Sequence, residues 1–213
     1  MEKVRFVCLA NSFKEGGRCV AGIVLDNNNN PVDNKNQWIR PVCNTAHNEI
    51  PTYLVNNINI LDILEIEISS YPNLDNYQSE NALFVETTLR IIGKYNGTLD
   101  DLCDSNRLIF GNRGKAIIEE EIAKHNRSLV FVKPTNFEFF QKTYDDNPNP
   151  QTRLRFTYCE NQYDLPITDP IFLKKYQSNP NFPNDFSQIY LTISIGVVHN
   201  GWHNKLVAGI ILS

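Results

Sequence analysis

The chain has 213 residues, 41% of them hydrophobic and 21% charged, which suffices for one large domain or two small packed modules with a real core. No apolar run approaches the roughly twenty residues of a membrane-spanning helix, so a membrane protein is not expected. With 24 acidic residues against 20 Lys and Arg, the formal charge is −4; this excludes a global basic field for non-specific polyanion binding and leaves local basic patches.

The opening segment, MEKVRFVCLANSF, alternates apolar and polar residues. It lacks the basic start, apolar block and small-residue cleavage site of a signal sequence and reads as a first strand. Strand-like alternation recurs over residues 3–9, 18–25, 37–43, 60–68, 82–92, 128–133, 137–142, 153–158, 188–195 and 205–212. Turn-forming clusters (NNNNPVDNKN, NPNPQ, SNPNFPND) separate these runs, the punctuation of an all-β barrel or sandwich. Two short helices are predicted. KAIIEEEIAKH over 115–125 places Ile117, Ile118 and Ile122 on roughly one face. Thr168-Asp169-Pro170 supplies a capping side chain and a first-turn proline for a helix over 171–177, which makes Asp169 structural. RCVAGIVL near the start matches KLVAGIIL at the end, predicting two equivalent hairpins. The five cysteines, at 8, 19, 43, 103 and 159, form no CxxC pair, as expected of a reduced, cytoplasmic chain. The first hairpin could bring Cys8 and Cys19 together, but cysteines on apolar strands are expected to be inert core residues.

The succession CLANSFKEGGRCVAGI, QWIRPV, LDILEIEI, YQSEN, RLRF, LPITDP, YLTISIG and KLVAGII resembles the bacterial dual OB-containing domain family over nearly the whole chain. The resemblance implies two small five-stranded barrels side by side, placed here at 1–112 and 113–213, with the termini able to pair. It implies no particular reaction. OB barrels bind oligonucleotides, nucleotides or proteins across one sheet face and its rim loops, an expectation at the level of fold.

Several segments carry groups suited to such ligands. Lys14 and Arg18 flank a Gly-Gly turn, where cations and backbone amides suit a phosphate. Alternation puts Trp38 and Arg40 on one strand face, a stacking platform beside a guanidinium, unless Trp38 is core and Arg40 pairs with a carboxylate. Gln78, Glu80 and Asn81 offer edge contacts to a base. Arg113 sits in a glycine-bracketed loop ahead of the first predicted helix, whose N-terminus favours an anion. Arg153 and Arg155 share a strand face, with Asp145, Asp146, Glu160 and Asp164 as internal acidic partners. His199, Trp202, His203 and Lys205 surround the last turn; two histidines four apart have metal-ligand spacing only on a helix, so no metal site is expected.

No nucleophile elbow, paired-carboxylate motif or dinucleotide fingerprint is present. The expected function is therefore non-catalytic binding of a nucleic-acid strand or nucleotide, without a cofactor. Phosphate capture falls to Lys14, Arg18 and Arg40, stacking to Trp38 or Trp202, and edge contacts to Gln78 and Asn81. The acidic balance favours a short ligand over long duplex. The alternatives are a nucleotide-modifying or hydrolysing enzyme in a bacterial defence or stress setting, with Glu80 or Asp169 as general base, and a protein-interaction module using loops such as 179–185.

Overall fold

The structure, a computed structural model, describes residues 1–32, 37–72, 77–125, 127–145 and 147–213. Two long strands open it, β1 (Glu2–Lys14) and β2 (Gly17–Leu25). Lys14 pairs with Gly17 across the turn, and both residues between them, Glu15 and Gly16, have positive φ of 43° and 84°. Such a turn matches the twist of the strands it joins. There follow β3 (Trp38–Val42), α1 (Thr52–Val55), β4 (Asp62–Ser70), β5 (Asn81–Phe84) and β6 (Arg90–Lys94). β1 pairs with β2 through Arg5–Lys14 and with β4 through Glu2–Val7, with a bulge between Cys8 and Ala10. The bulge bends the strand so that it pairs along both of its edges. β2 continues to β3, β3 runs parallel to β5, and β5 meets β4, which closes a five-stranded barrel with β6 added to β4.

The second half comprises β7 (Ala116–Ile118), α2 (Glu119–Ile122), β8 (Leu129–Val132), β9 (Thr135–Tyr144), β10 (Asn147–Tyr158), β11 (Asn161–Pro166), α3 (Pro170–Ser178), β12 (Ile189–His199) and β13 (Trp202–Leu212). β8 pairs with β12 and β9 with β10. Pro134, which has no N–H for a ladder, separates β8 from β9. Together they take the place that β1 holds in the first barrel. Past β11, Ile167 bridges Val207 of β13 in parallel, the counterpart of the β3–β5 pairing. The sheets β9–β10–β11 and β7–β13–β12–β8 thus form a second, half-closed barrel. Asp169 caps α3, accepting from the N–H groups of Ile171 and Phe172 at 3.0 Å each. The capping role expected of it from sequence is the one it fills.

Strand alternation sorts the apolar residues. Val4, Phe6, Cys8, Val20, Ile39, Leu64 and Ile66 fill the first barrel. Leu154, Phe156, Leu165, Leu191 and Ile193 fill the second, with Phe172 and Tyr176 of α3 packed in. The opposite parity, Val7, Leu9, Ala21, Ile23 and Trp38, forms a third cluster with Leu129, Phe131, Tyr190 and Ala208. The outer face of β1–β2–β3 is therefore buried against the outer face of β8–β12–β13. Contact is close: a Cβ added at Gly209 meets the Leu9 carbonyl oxygen at 2.1 Å, and Thr192 Oγ1 donates to the same oxygen at 2.6 Å. None of the described helices is long and apolar enough to cross a membrane.

Several sequence expectations give way to tertiary pairing. Residues 115–125 are not one helix. Ala116–Ile118 join the sheet edge opposite Trp202–Asn204, and only Glu119–Ile122 are helical. The run 82–92 breaks at a 3₁₀ turn, Glu86–Thr88, between β5 and β6. NPNPQ, expected as a turn, lies within β10. The two similar hairpins are not equivalent, because the first supplies β1 and β2 while the last supplies β12 and β13, which hold the fourth and fifth positions of the other barrel. Cys8 stands opposite Gly22 and Cys19 opposite Ser12, so the two cysteines are not neighbours.

Candidate nucleic-acid interface

With the outer face of β1–β3 covered, the face of β9–β10–β11 turned away from the second core is the comparable surface left open. Register places Glu138, Phe140 and Lys142 of β9 beside Arg155, Arg153 and Gln151 of β10, and Asp164 and Pro166 of β11 beyond them. The Arg155 guanidinium lies over the Phe140 ring at 4.9 Å, and Lys142 Nζ over the Tyr144 ring at 5.1 Å. Arg155 is half exposed and forms a 2.9 Å ion pair with Glu138, also exposed; solvent screening makes such a pair weak and easily exchanged. Arg153 is locked: its Nε donates to Asp164 Oδ1 at 2.6 Å, its Nη2 to the Asp164 carbonyl at 2.8 Å, and its Nη1 to Gln151 and the Tyr144 hydroxyl. It holds the ring of Tyr144 in place, while Arg155 and Lys142 stay available. Two rings interleaved with cations on an open sheet suit stacked bases and their phosphates.

Most of the other expected ligand contacts lie elsewhere. Trp38, Arg40, Gln78, Glu80, Asn81 and Lys205 are buried. Arg40 Nη2 is 3.3 Å from Glu80 Oε1 and donates to Ser128 Oγ at 2.7 Å, and Ser128 Oγ in turn donates to Glu80. The network ties β3 and the β5 lead-in to the start of β8, with both ion-pair side chains at most 3% exposed. The reading of Arg40 as a carboxylate partner is the one its surroundings fit, and Glu80 is committed to that pair. Gln78 accepts from Asn81 Nδ2 at 3.0 Å. Lys14 lines a cleft of about 300 Å³ with Arg40 and Gln78, whereas Arg18, on the other face of the same hairpin, lines a different groove. One phosphate is not shared by Lys14 and Arg18. Arg113 is exposed in a turn that leads into a strand rather than a helix, so the expected N-terminal anion site does not form. Trp202 is exposed at the β12–β13 turn, and His203 Nδ1 donates inward to the Gly196 carbonyl at 2.9 Å. Asp169, the other candidate base, also accepts from Ile210 N; burial raises its carboxyl above the usual range, against the pull of its three backbone donors. Of the acidic partners expected for the β10 arginines, Asp164 serves Arg153, and Asp146 lies outside the described residues.

The model of the dual OB-containing domain matches residues 4–210. The chain belongs to that family. The two barrels, each with a parallel contact between its third and fifth strands, are the OB units of a dual OB-containing domain. No curated protein matches the sequence. Among solved structures, this dual OB chain is similar to one of a replication protein A heterotrimer bound to single-stranded DNA, at 9% identity and a TM-score of 0.39. That match takes in all of this chain and 48% of the other, so the chain spans about half its length. It is also similar to a murine DNA-binding protein bound with double-stranded DNA, at 7% identity and a TM-score of 0.32, over all of this chain and 98% of the other. At these scores the likeness carries no functional information.

Sequence reasoning reached Arg153 and Arg155 but missed Phe140, Lys142 and Tyr144. The signal was there: in FEFFQKTY these three recur every second residue, which puts them on one strand face.

Proposed function

We propose that this dual OB-containing domain binds a single nucleic-acid strand on the open β9–β10–β11 face, without catalysis. Bases stack on Phe140 and Tyr144, and Arg155 and Lys142 contact phosphates. Arg153 serves as a positioning residue beneath them. One observation carries the reading: the face that OB barrels commonly use is buried in the first barrel and open in the second, where two cation–ring pairs stand side by side. The acidic total charge fits a short contact with few phosphates.

The test is fluorescence anisotropy with a labelled oligothymidylate over a range of salt. Binding is expected to weaken as salt rises. Phe140→Ala is expected to weaken it about tenfold, the loss of one stacked base. Lys142→Glu with Arg155→Glu is expected to abolish it at physiological salt with at most a small fall in melting temperature, since both residues are exposed and only the weak pair with Glu138 is lost. Affinity unchanged in the charge-reversed protein overturns the proposal.

A further inference from the structure

A second groove runs between the barrels on the side of α3, away from the β9–β10–β11 face. It has a volume of about 820 Å³ and takes Arg18 from β2, Asn56 and Asn59 from the loop after α1, and Lys174 and Lys175 from α3. No carboxylate lines it. Among the described residues, the Arg18 guanidinium has no hydrogen-bond or ion-pair partner; its Nε and Nη1 are sealed from solvent, and the Phe13 ring covers it at 4.5 Å. A cation desolvated without an acceptor is unfavourable in the protein by itself and is satisfied by an anion. Lys174 and Lys175 are exposed and likewise have no acidic partner among the described residues. Three cations thus converge in a chain whose net charge is −4, and the carboxylate that acts on Arg18, Asp169, lies in the adjoining pocket rather than in the groove.

The groove continues into an apolar pocket that shares Asn59, Ile171, Lys175 and Phe182 with it and adds Phe186 and Leu212. Ile171 and Phe186 are 37% and 38% exposed there. A single ligand filling both ends carries negative charge at one end and a flat apolar group at the other, with hydrogen-bonding edges for the asparagine amides. We infer that the inter-barrel groove is a nucleoside-phosphate site: the phosphates meet Arg18, Lys174 and Lys175, and the base lies against Phe182 and Phe186. An acidic peptide offers charge without the planar, edge-bonding group. This site is separate from the strand-binding face and stands or falls without it.

Isothermal titration calorimetry of the full chain tests the inference with adenosine and guanosine diphosphates, pyrophosphate, adenosine and a poly-glutamate peptide. At least one nucleoside diphosphate is expected to bind, more tightly than pyrophosphate or adenosine. Lys174→Glu with Lys175→Glu is expected to weaken that binding by about tenfold or more, the loss of charge-assisted contacts. Phe186→Ala is expected to weaken it while leaving pyrophosphate unchanged. Oligothymidylate affinity is expected to stay the same in the lysine variant, and diphosphate affinity in Arg155→Glu, which separates failure of this site from failure of the other. No heat with either diphosphate overturns the inference, as does pyrophosphate binding as tightly as the diphosphates, indifference to the lysine reversal, or preference for the peptide.

Discussion

Arg40→Met is expected to lower the unfolding free energy by about 3–5 kcal/mol, the usual loss when one member of a buried ion pair is removed. Glu80 is left with its carboxylate inside the molecule, 2% exposed, and with Ser128 as the partner described for it. For a chain of this length that corresponds to a fall in melting temperature of about 10 °C. The same side chains join the barrels, since Arg40 and Glu80 belong to the first and Ser128 to the second. Urea denaturation of Arg40→Met and of Arg40→Met with Glu80→Leu checks this. The double variant is expected to recover a large part of the loss, because a buried pair replaced by apolar groups is often neutral. A single variant within about 1 kcal/mol of the native chain contradicts this role for the pair, since that is the range of an exposed one.

Lys205→Met is expected to have the next largest effect, about 2–4 kcal/mol, by leaving buried carbonyl groups without a donor. Lys205 is fully buried on the inward parity of β13. Its Nζ donates to the Ile109 carbonyl at 2.7 Å, the Asn112 carbonyl at 3.0 Å and Asn112 Oδ1 at 2.6 Å. These bonds hold down a loop in which Phe110 takes a φ of 50°. No carboxylate compensates the ammonium among these partners, and burial lowers it from its ordinary 10.5 to about 7. The folded value lies below the unfolded one, so between pH 7 and 10.5 the unfolded chain binds more protons and stability rises with pH. Lys205 therefore contributes most above this window and least below it. The stability gap between the native chain and Lys205→Met is expected to be wider at pH 9 than at pH 7; a gap that narrows over this interval contradicts the assignment.

Local alternation made the strands legible because inward and outward residues differ in type, as in Val4, Phe6 and Cys8 against Arg5. It failed where pairing with a distant strand decides. Ile117 and Ile118 fit a helix face in isolation, and the free edge of β13 draws them into a sheet. The segment NQYDLP carries only Tyr163 and Leu165 as inward residues, too few to mark β11 without its partner β10. The candidate site was less legible still. Trp38 and Arg40 do share a face, but the second barrel covers it, and nothing within 37–43 says so. Arg18 was singled out for a phosphate alongside Lys14, and the hairpin sends the two to different grooves. Among the exposed cations, Lys142, Arg155, Lys174 and Lys175 stand out once the barrels are placed.

The central claim is that a strand lies across β9–β10–β11, and ultraviolet cross-linking of an oligothymidylate of about twelve residues, within the span OB folds accommodate, tests it most directly. Cross-linked peptides are identified by mass spectrometry. The account predicts adducts on Phe140 or Tyr144 that disappear when Lys142 and Arg155 are reversed in charge. Adducts confined to the turn around Trp202, to α3 or to the first barrel, with those two rings unmodified, contradict it.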